Sequence, residues 1–180
     1  MVYLFLADGF EEIEGLTVVD LLRRAELEIR MVSVTGEKQV IGSHNIKVEA
    51  DEVYGESDYS LADMLILPGG MPGTRHLAEH RELGVLLKQF HKEGKNIAAI
   101  CAAPSVLGML GILEGKKATC YPGYEDKLTG AVPTGNKTEV DGNIITGKGM
   151  GVSIEFSLAV IKMLKDKETS QKIAASIQYI

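Results

Sequence analysis

Asn96-Ile97-Ala98-Ala99-Ile100-Cys101-Ala102-Ala103-Pro104 is the stretch that decides the fold. Its first half is apolar with no polar alternation, the pattern of a strand covered on both faces. Cys101 follows, among small residues that suit a sharp turn. Pro104 then stands in the first turn of a helix, where its missing N–H does no harm. Strand, tight turn and helix together make the setting in which a nucleophile is held out at the end of a central strand.

Working outward, short β-rich runs alternate with helical stretches. Val2–Ala7, Glu28–Thr35 and Asp63–Leu67 read as further strands, the last stopped by Pro68-Gly69-Gly70. Glu11–Ala25 reads as a helix, with acids in its first turn and Arg23 and Arg24 in its last. Its apolar residues cover more than half the circumference, which calls for cover on more than one side, from the sheet and from a partner subunit. Gly36 to Ala50 reads as a hairpin excursion. Helices are expected at about 74–79, 81–92, 103–110, 153–164 and 168–177. The runs 137–140 and 143–146 flank Asp141-Gly142, a two-residue hairpin signal. This alternation predicts one domain, residues 1–180. Its fold is an α/β three-layer sandwich, flavodoxin-like, with a mostly parallel central sheet.

Composition narrows the function. The chain has 180 residues, 45% of them hydrophobic and 24% charged, an ordinary globular balance. There are 25 acids against 19 bases, a net charge of −6, so nucleic acid is disfavoured as a partner. Two cysteines, Cys101 and Cys120, are too few for a disulfide framework. No C-x-x-C pair or H-E-x-x-H motif supports a metal site. The longest uncharged run, Ile97 to Leu113, is broken by Pro104, Gly108 and Gly111 and falls short of a membrane span. The N-terminus lacks the basic start of a signal peptide. A cytoplasmic setting is the expectation.

In a parallel sheet, ligands bind beyond the carboxyl ends of the strands. Three such ends carry distinctive residues: Asp8-Gly9 followed by Glu11, Glu12 and Glu14; Pro68-Gly69-Gly70; and Cys101-Ala102. Cys101 reads either as a buried structural thiol or as a nucleophile with a pKa lowered by the following helix. The N–H groups of Gly70 and Ala102, with Gly69 alongside, could hold an oxyanion. Glu14 reads either as a solvated helix-end acid or as a buried, neutral donor beside the sulfur. The histidines are His44, His76, His80 and His91, and none follows Cys101. That disfavours a Cys-His peptidase. His76 and His80 are spaced like a metal pair but lack a third ligand in sequence.

Taken together, Ala7-Asp8-Gly9-Phe10-Glu11-Glu12-Ile13-Glu14, Leu67-Pro68-Gly69-Gly70, Ala98-Ala99-Ile100-Cys101-Ala102-Ala103-Pro104 and Ser153-Ile154-Glu155-Phe156 resemble the ThiJ/PfpI superfamily. Within it they are most similar to the DJ-one branch, that of the Parkinsonism-associated protein deglycase. The resemblance implies a flavodoxin-like fold akin to class I glutamine amidotransferases, and a homodimer. It implies Cys101 as nucleophile, Glu14 as the protonated acid on its sulfur, and Gly70 and Ala102 as oxyanion donors. It also implies cofactor-free glyoxalase or deglycase chemistry, of the hydro-lyase or hydrolase kind. The substrates would be small 2-oxoaldehydes or glycated amine adducts, and Cys101 would be sensitive to oxidation. Tyr121 stands where several members carry a histidine, and is at most an accessory donor. His44 stands where some have an arginine near the dimer seam. The alternatives are a redox sensor or stress chaperone without turnover and, further off, a cysteine peptidase.

Overall fold

A computed structural model describes residues 1–180. In chain order the elements are β1 (Val2–Leu6), α1 (Glu12–Arg24), β2 (Ile29–Ser33), β3 (Gln39–Ile41), β4 (Lys47–Glu49), β5 (Glu52–Val53) and β6 (Met64–Leu67). There follow α2 (Gly73–Glu79), α3 (Arg81–Lys92), β7 (Asn96–Ile100), α4 (Pro104–Met109), β8 (Lys117–Ala118) and β9 (Val132–Pro133). The chain closes with β10 (Thr138–Asp141), β11 (Ile144–Gly147), α5 (Ser153–Leu164) and α6 (Lys167–Ser176).

Seven strands form one sheet in the order β10-β11-β7-β6-β1-β2-β5. All neighbours are parallel except the β10–β11 hairpin. Strand side chains point alternately to the two faces, and the core divides accordingly. Tyr3, Phe5, Leu65, Leu67, Ile97 and Ala99 face one cluster, completed by Leu77 of α2, Leu83 and Phe90 of α3, and Val106 of α4. Val2, Leu4, Leu6, Met64, Ile66, Ala98 and Ile100 face the other, completed by Val18 and Leu22 of α1, Phe156 and Val160 of α5, and Ile173 of α6. A sheet buried on both faces between two helical layers is the expected flavodoxin-like sandwich.

Two expectations need correction. The second apolar side of α1 lies against α5 within the same chain, and Leu16 packs into that shared cluster. Only Ile13 among its large apolar residues stands out, 51% exposed. The hairpin turn is shifted by one residue. Asp141 pairs with Ile144, so Gly142 and Asn143 make the turn. Gly142 adopts φ 61° at the first turn position, which glycine takes without steric cost. The predicted excursion at 36–50 is present as the antiparallel pair β3–β4, whereas the two-residue strands β5, β8 and β9 had no counterpart in the reading.

Candidate active site

Strands β7, β6 and β1 are consecutive and parallel, so their carboxyl ends open on one edge of the sheet. That edge brings Cys101, Gly69 and Gly70, and the start of α1 together.

Cys101 follows β7 at φ 64°, a left-handed conformation that a side-chain-bearing residue holds only when its surroundings impose it. Two backbone bonds impose it. The Cys101 N–H donates to the Gly147 carbonyl at 2.8 Å, and the Cys101 carbonyl accepts from the Tyr121 N–H at 2.7 Å. The side chain is half-buried. The N–H groups of Gly70 and Ala102 both bear on its sulfur and favour the thiolate.

Glu14 reaches the same point from the first turn of α1. It is 1% exposed, so it is not a solvated helix-end acid. Its Oε2 accepts the Gly69 N–H at 2.8 Å, and its carboxyl lies close enough to the Cys101 thiol for each to shift the other's protonation. Oε1 is buried with no hydrogen-bond partner. Gly69 makes the approach possible. A Cβ there would lie 2.6 Å from the Cys101 Cβ and 2.7 Å from the Glu14 Oε2. The loop is clamped to α1 from the other side, because the Glu11 N–H donates to the Gly69 carbonyl at 2.9 Å.

The electrostatics depart from the sequence expectation. Burial pushes the Glu14 carboxyl up to about 7, more than the bonds from Cys101 and Gly69 lower it. With Glu14 ionised, the thiol of Cys101 is not lowered. Burial, then the neighbouring Glu14 charge and the bond to that carboxylate, push it up to about 12 against the two backbone N–H groups. The sequence shows the helix after Cys101 but not the burial around it, and burial dominates. Two of the three raising causes depend on an ionised Glu14. A protonated Glu14 removes the first of these and, by donating to sulfur, reverses the second. The two groups therefore titrate as one unit sharing a proton.

A pocket of about 160 Å³ opens over the sulfur, lined by Gly70, Met71, Cys101, Ala102, Tyr121 and Tyr124. The half-exposed Tyr121 ring meets Tyr124 edge to face at 6.5 Å. No histidine lines the pocket. Met71 and Tyr124 were not singled out in the sequence. Met71 directly follows Gly70, and Tyr124 lies three residues beyond Tyr121, but nothing in the sequence pairs the 121–124 turn with Cys101.

The other polar groups are engaged elsewhere. Cys120 is buried, and burial raises its thiol to about 11. The His76 Nδ1–H donates to the Asp8 carbonyl at 2.9 Å, while the His80 Nδ1 accepts the Leu83 N–H at 3.1 Å, so the pair shares no site. Glu11, Glu12 and His44 could present ligand atoms within 4.8 Å of one another. The buried Glu12 carboxylate, however, already accepts the His44 N–H at 2.8 Å, the His44 Nδ1–H at 3.0 Å and the Ser43 hydroxyl at 3.2 Å. No helix is long and apolar enough to cross a membrane.

Known proteins share this arrangement of chain. A solved structure of Toxoplasma gondii DJ-1, oxidized, superposes with a TM-score of 0.94 at 36% identity, covering 98% of this chain and 97% of that one. Protein DJ-1 homolog B of Arabidopsis thaliana is 36% identical over 174 residues. That match takes in 96% of this chain but 40% of the plant protein, so the chain spans about two fifths of that relative. A Caenorhabditis elegans protein named glutathione-independent glyoxalase DJR-1.2 is 32% identical over 165 residues, covering 91% of this chain and 87% of its own length. Residues 1–163 match the DJ-1/PfpI family description. With near-complete structural overlap and a family match over most of its length, the chain belongs to the DJ-1/PfpI family.

Proposed function

We propose that the chain is a cofactor-independent, cysteine-dependent glyoxalase acting on small 2-oxoaldehydes. Deglycation of amine adducts would follow from the same chemistry. The observation that carries this reading is Cys101 at a strained backbone position, with two N–H groups and a buried carboxyl aimed at its sulfur. The name of the nematode relative supports it.

The reaction begins with the shared proton on Glu14 and the charge on sulfur. The thiolate adds to the aldehyde carbon, and the oxyanion forms where the Gly70 and Ala102 N–H groups can stabilise it. Glu14 gives its proton to that oxygen and becomes a base. It then takes the hydrogen from the former aldehyde carbon as a proton and returns it to the adjacent ketone carbon, while the hydroxyl proton on the first carbon's oxygen passes to the oxygen of the second. The first carbon is thereby oxidised to a thioester and the second reduced to an alcohol. Water cleaves the thioester, releasing a 2-hydroxy acid and the thiol. Methylglyoxal and water thus give lactate. A carboxyl that titrates near neutrality is suited to both halves of this proton shuttle. Tyr121 and Gly69 act as accessories, one at the pocket wall and the other orienting Glu14 through its N–H.

A histidine-free pocket supplies one reason for a second reading, a redox sensor. Oxidation of Cys101 to the sulfinic acid would give oxygens able to accept from a neutral Glu14. Purified protein incubated with methylglyoxal separates the two. The glyoxalase reading expects lactate from the wild type and from Cys120→Ser, and none from Cys101→Ser. Absence of lactate from the wild type, or loss in Cys120→Ser instead, overturns it.

A further inference from the structure

The pocket over Cys101 is not closed on its far side. Met71 and Tyr124 are walls of a second, larger cavity of about 520 Å³ between α2, α4 and the turn at 124–127. The two cavities therefore adjoin across a thioether and an aromatic ring, and the thioether is flexible enough to move aside. Ala78 from α2 and Met109 from α4, the latter 59% exposed, add apolar surface, and the rest of the lining is polar: Thr74, Arg75, Glu79, Ser105 and Lys127. The charges at the rim are already engaged. Arg75 is paired with Glu79 at 2.9 Å, and the Lys127 ammonium sits 4.4 Å over the Tyr124 ring. Thr74, also in the wall, is 4% exposed, and its hydroxyl oxygen is buried with no partner. Four apolar side chains, an Arg75 balanced by Glu79 and a Lys127 held over an aromatic ring give the groove a surface that suits a bulky apolar group carried on a small dicarbonyl.

Resting on the glyoxalase reading above, we propose that this groove is a specificity subsite for the substituent of the 2-oxoaldehyde, and that it selects aryl or long alkyl groups over methyl. The aldehyde carbon sits on the sulfur, and the substituent runs past Met71 and Tyr124 into the groove. The chemistry is unchanged. Phenylglyoxal plus water gives mandelate, with one carbon oxidised, its neighbour reduced and water the only co-reactant. A three-carbon dicarbonyl leaves the groove empty, so it forgoes the burial that distinguishes a good substrate. Filling a hydrophobic pocket changes specificity by roughly 10–200-fold for a single methylene.

Ala78 is exposed on α2, so Ala78→Trp blocks the groove at little expense to the fold. Two measurements test the proposal. In turnover, the ratio of kcat/KM for phenylglyoxal to that for methylglyoxal falls by at least ~10-fold in Ala78→Trp, chiefly through KM. In binding, mandelate protects Cys101 of the wild type from alkylation by iodoacetamide at a concentration at least ~10-fold below that needed with lactate, and Ala78→Trp removes the difference. If the wild type turns over neither aldehyde, the glyoxalase reading fails and protection alone decides the groove. Equal protection by the two acids, or a preference that survives Ala78→Trp, overturns the subsite.

Discussion

Cys101 and Glu14 form an unusual pair because the site holds room for one negative charge and offers two places to put it. Burial disfavours both charged forms, and only the sulfur has two backbone N–H groups turned toward it. The first proton to leave the pair should therefore come off near pH 7 and leave the charge on sulfur. Thiolate absorbance of a Cys120→Ser protein, which carries no other thiol, should rise through about pH 7 and be abolished by Cys101→Ala. Absorbance that stays flat until near pH 12 would place the charge on Glu14 and leave Cys101 an inert thiol.

At the scale of elements, the β3–β4 hairpin is tied to the start of α1 chiefly through one side chain. Glu12 is buried, and burial would raise its carboxyl. Bonds from its own backbone, the His44 side chain and the His44 and Ile46 N–H groups outweigh that and hold it at about 2. Glu12→Ala would remove the bonds that a buried carboxylate accepts from partly exposed donors, and a loss of about 1–3 kcal/mol is expected in urea unfolding. It should also loosen the hairpin, read as faster amide exchange at His44 and Ile46 (2.8 and 3.4 Å from Oε1). The central strands were legible in the sequence because β1, β6 and β7 are apolar runs buried on both faces. Cys101, Gly69, Gly70, Ala102 and Glu14 were legible for the same reason, standing where those strands end. The strands of two residues were not, since two residues carry no period. The cover of α1 by α5 was also hidden, because an apolar helix face does not name its partner, and so was the burial that raises the thiol.

Across the whole molecule, two of the buried carboxylates, Glu12 and Glu14, tilt stability in opposite directions with pH. Glu12 has a folded pKa of about 2, below its ordinary 4.5, so its contribution is complete above pH 4.5 and is lost as pH falls toward 2. Glu14 is raised to about 7, so its contribution is complete below pH 4.5 and is lost as pH rises through 7, whichever atom of the pair keeps the remaining proton. The neutral limb amounts to on the order of 3 kcal/mol. Urea unfolding at pH 5 and pH 8 should show the wild type weaker at pH 8, and Glu14→Gln should remove most of that difference. Association is argued from a different surface. Ile13 and Ile46 are 51% and 52% exposed, and the Ile46 N–H lies 3.4 Å from Glu12 Oε1, which places both at one end of α1. Sedimentation at micromolar concentration should give about twice the 19.5 kDa chain mass, and Ile13→Glu should return it to one chain. The sheet itself bears on a further property, resistance to fibrous aggregation. Its two outer strands are β5, only two residues long and carrying Glu52, and β10, which carries Glu139 and Asp141. A short rim on one side and an acidic rim on the other give a stray strand little to zip onto, so the long hydrophobic runs at the centre stay quarantined even in a crowded solution.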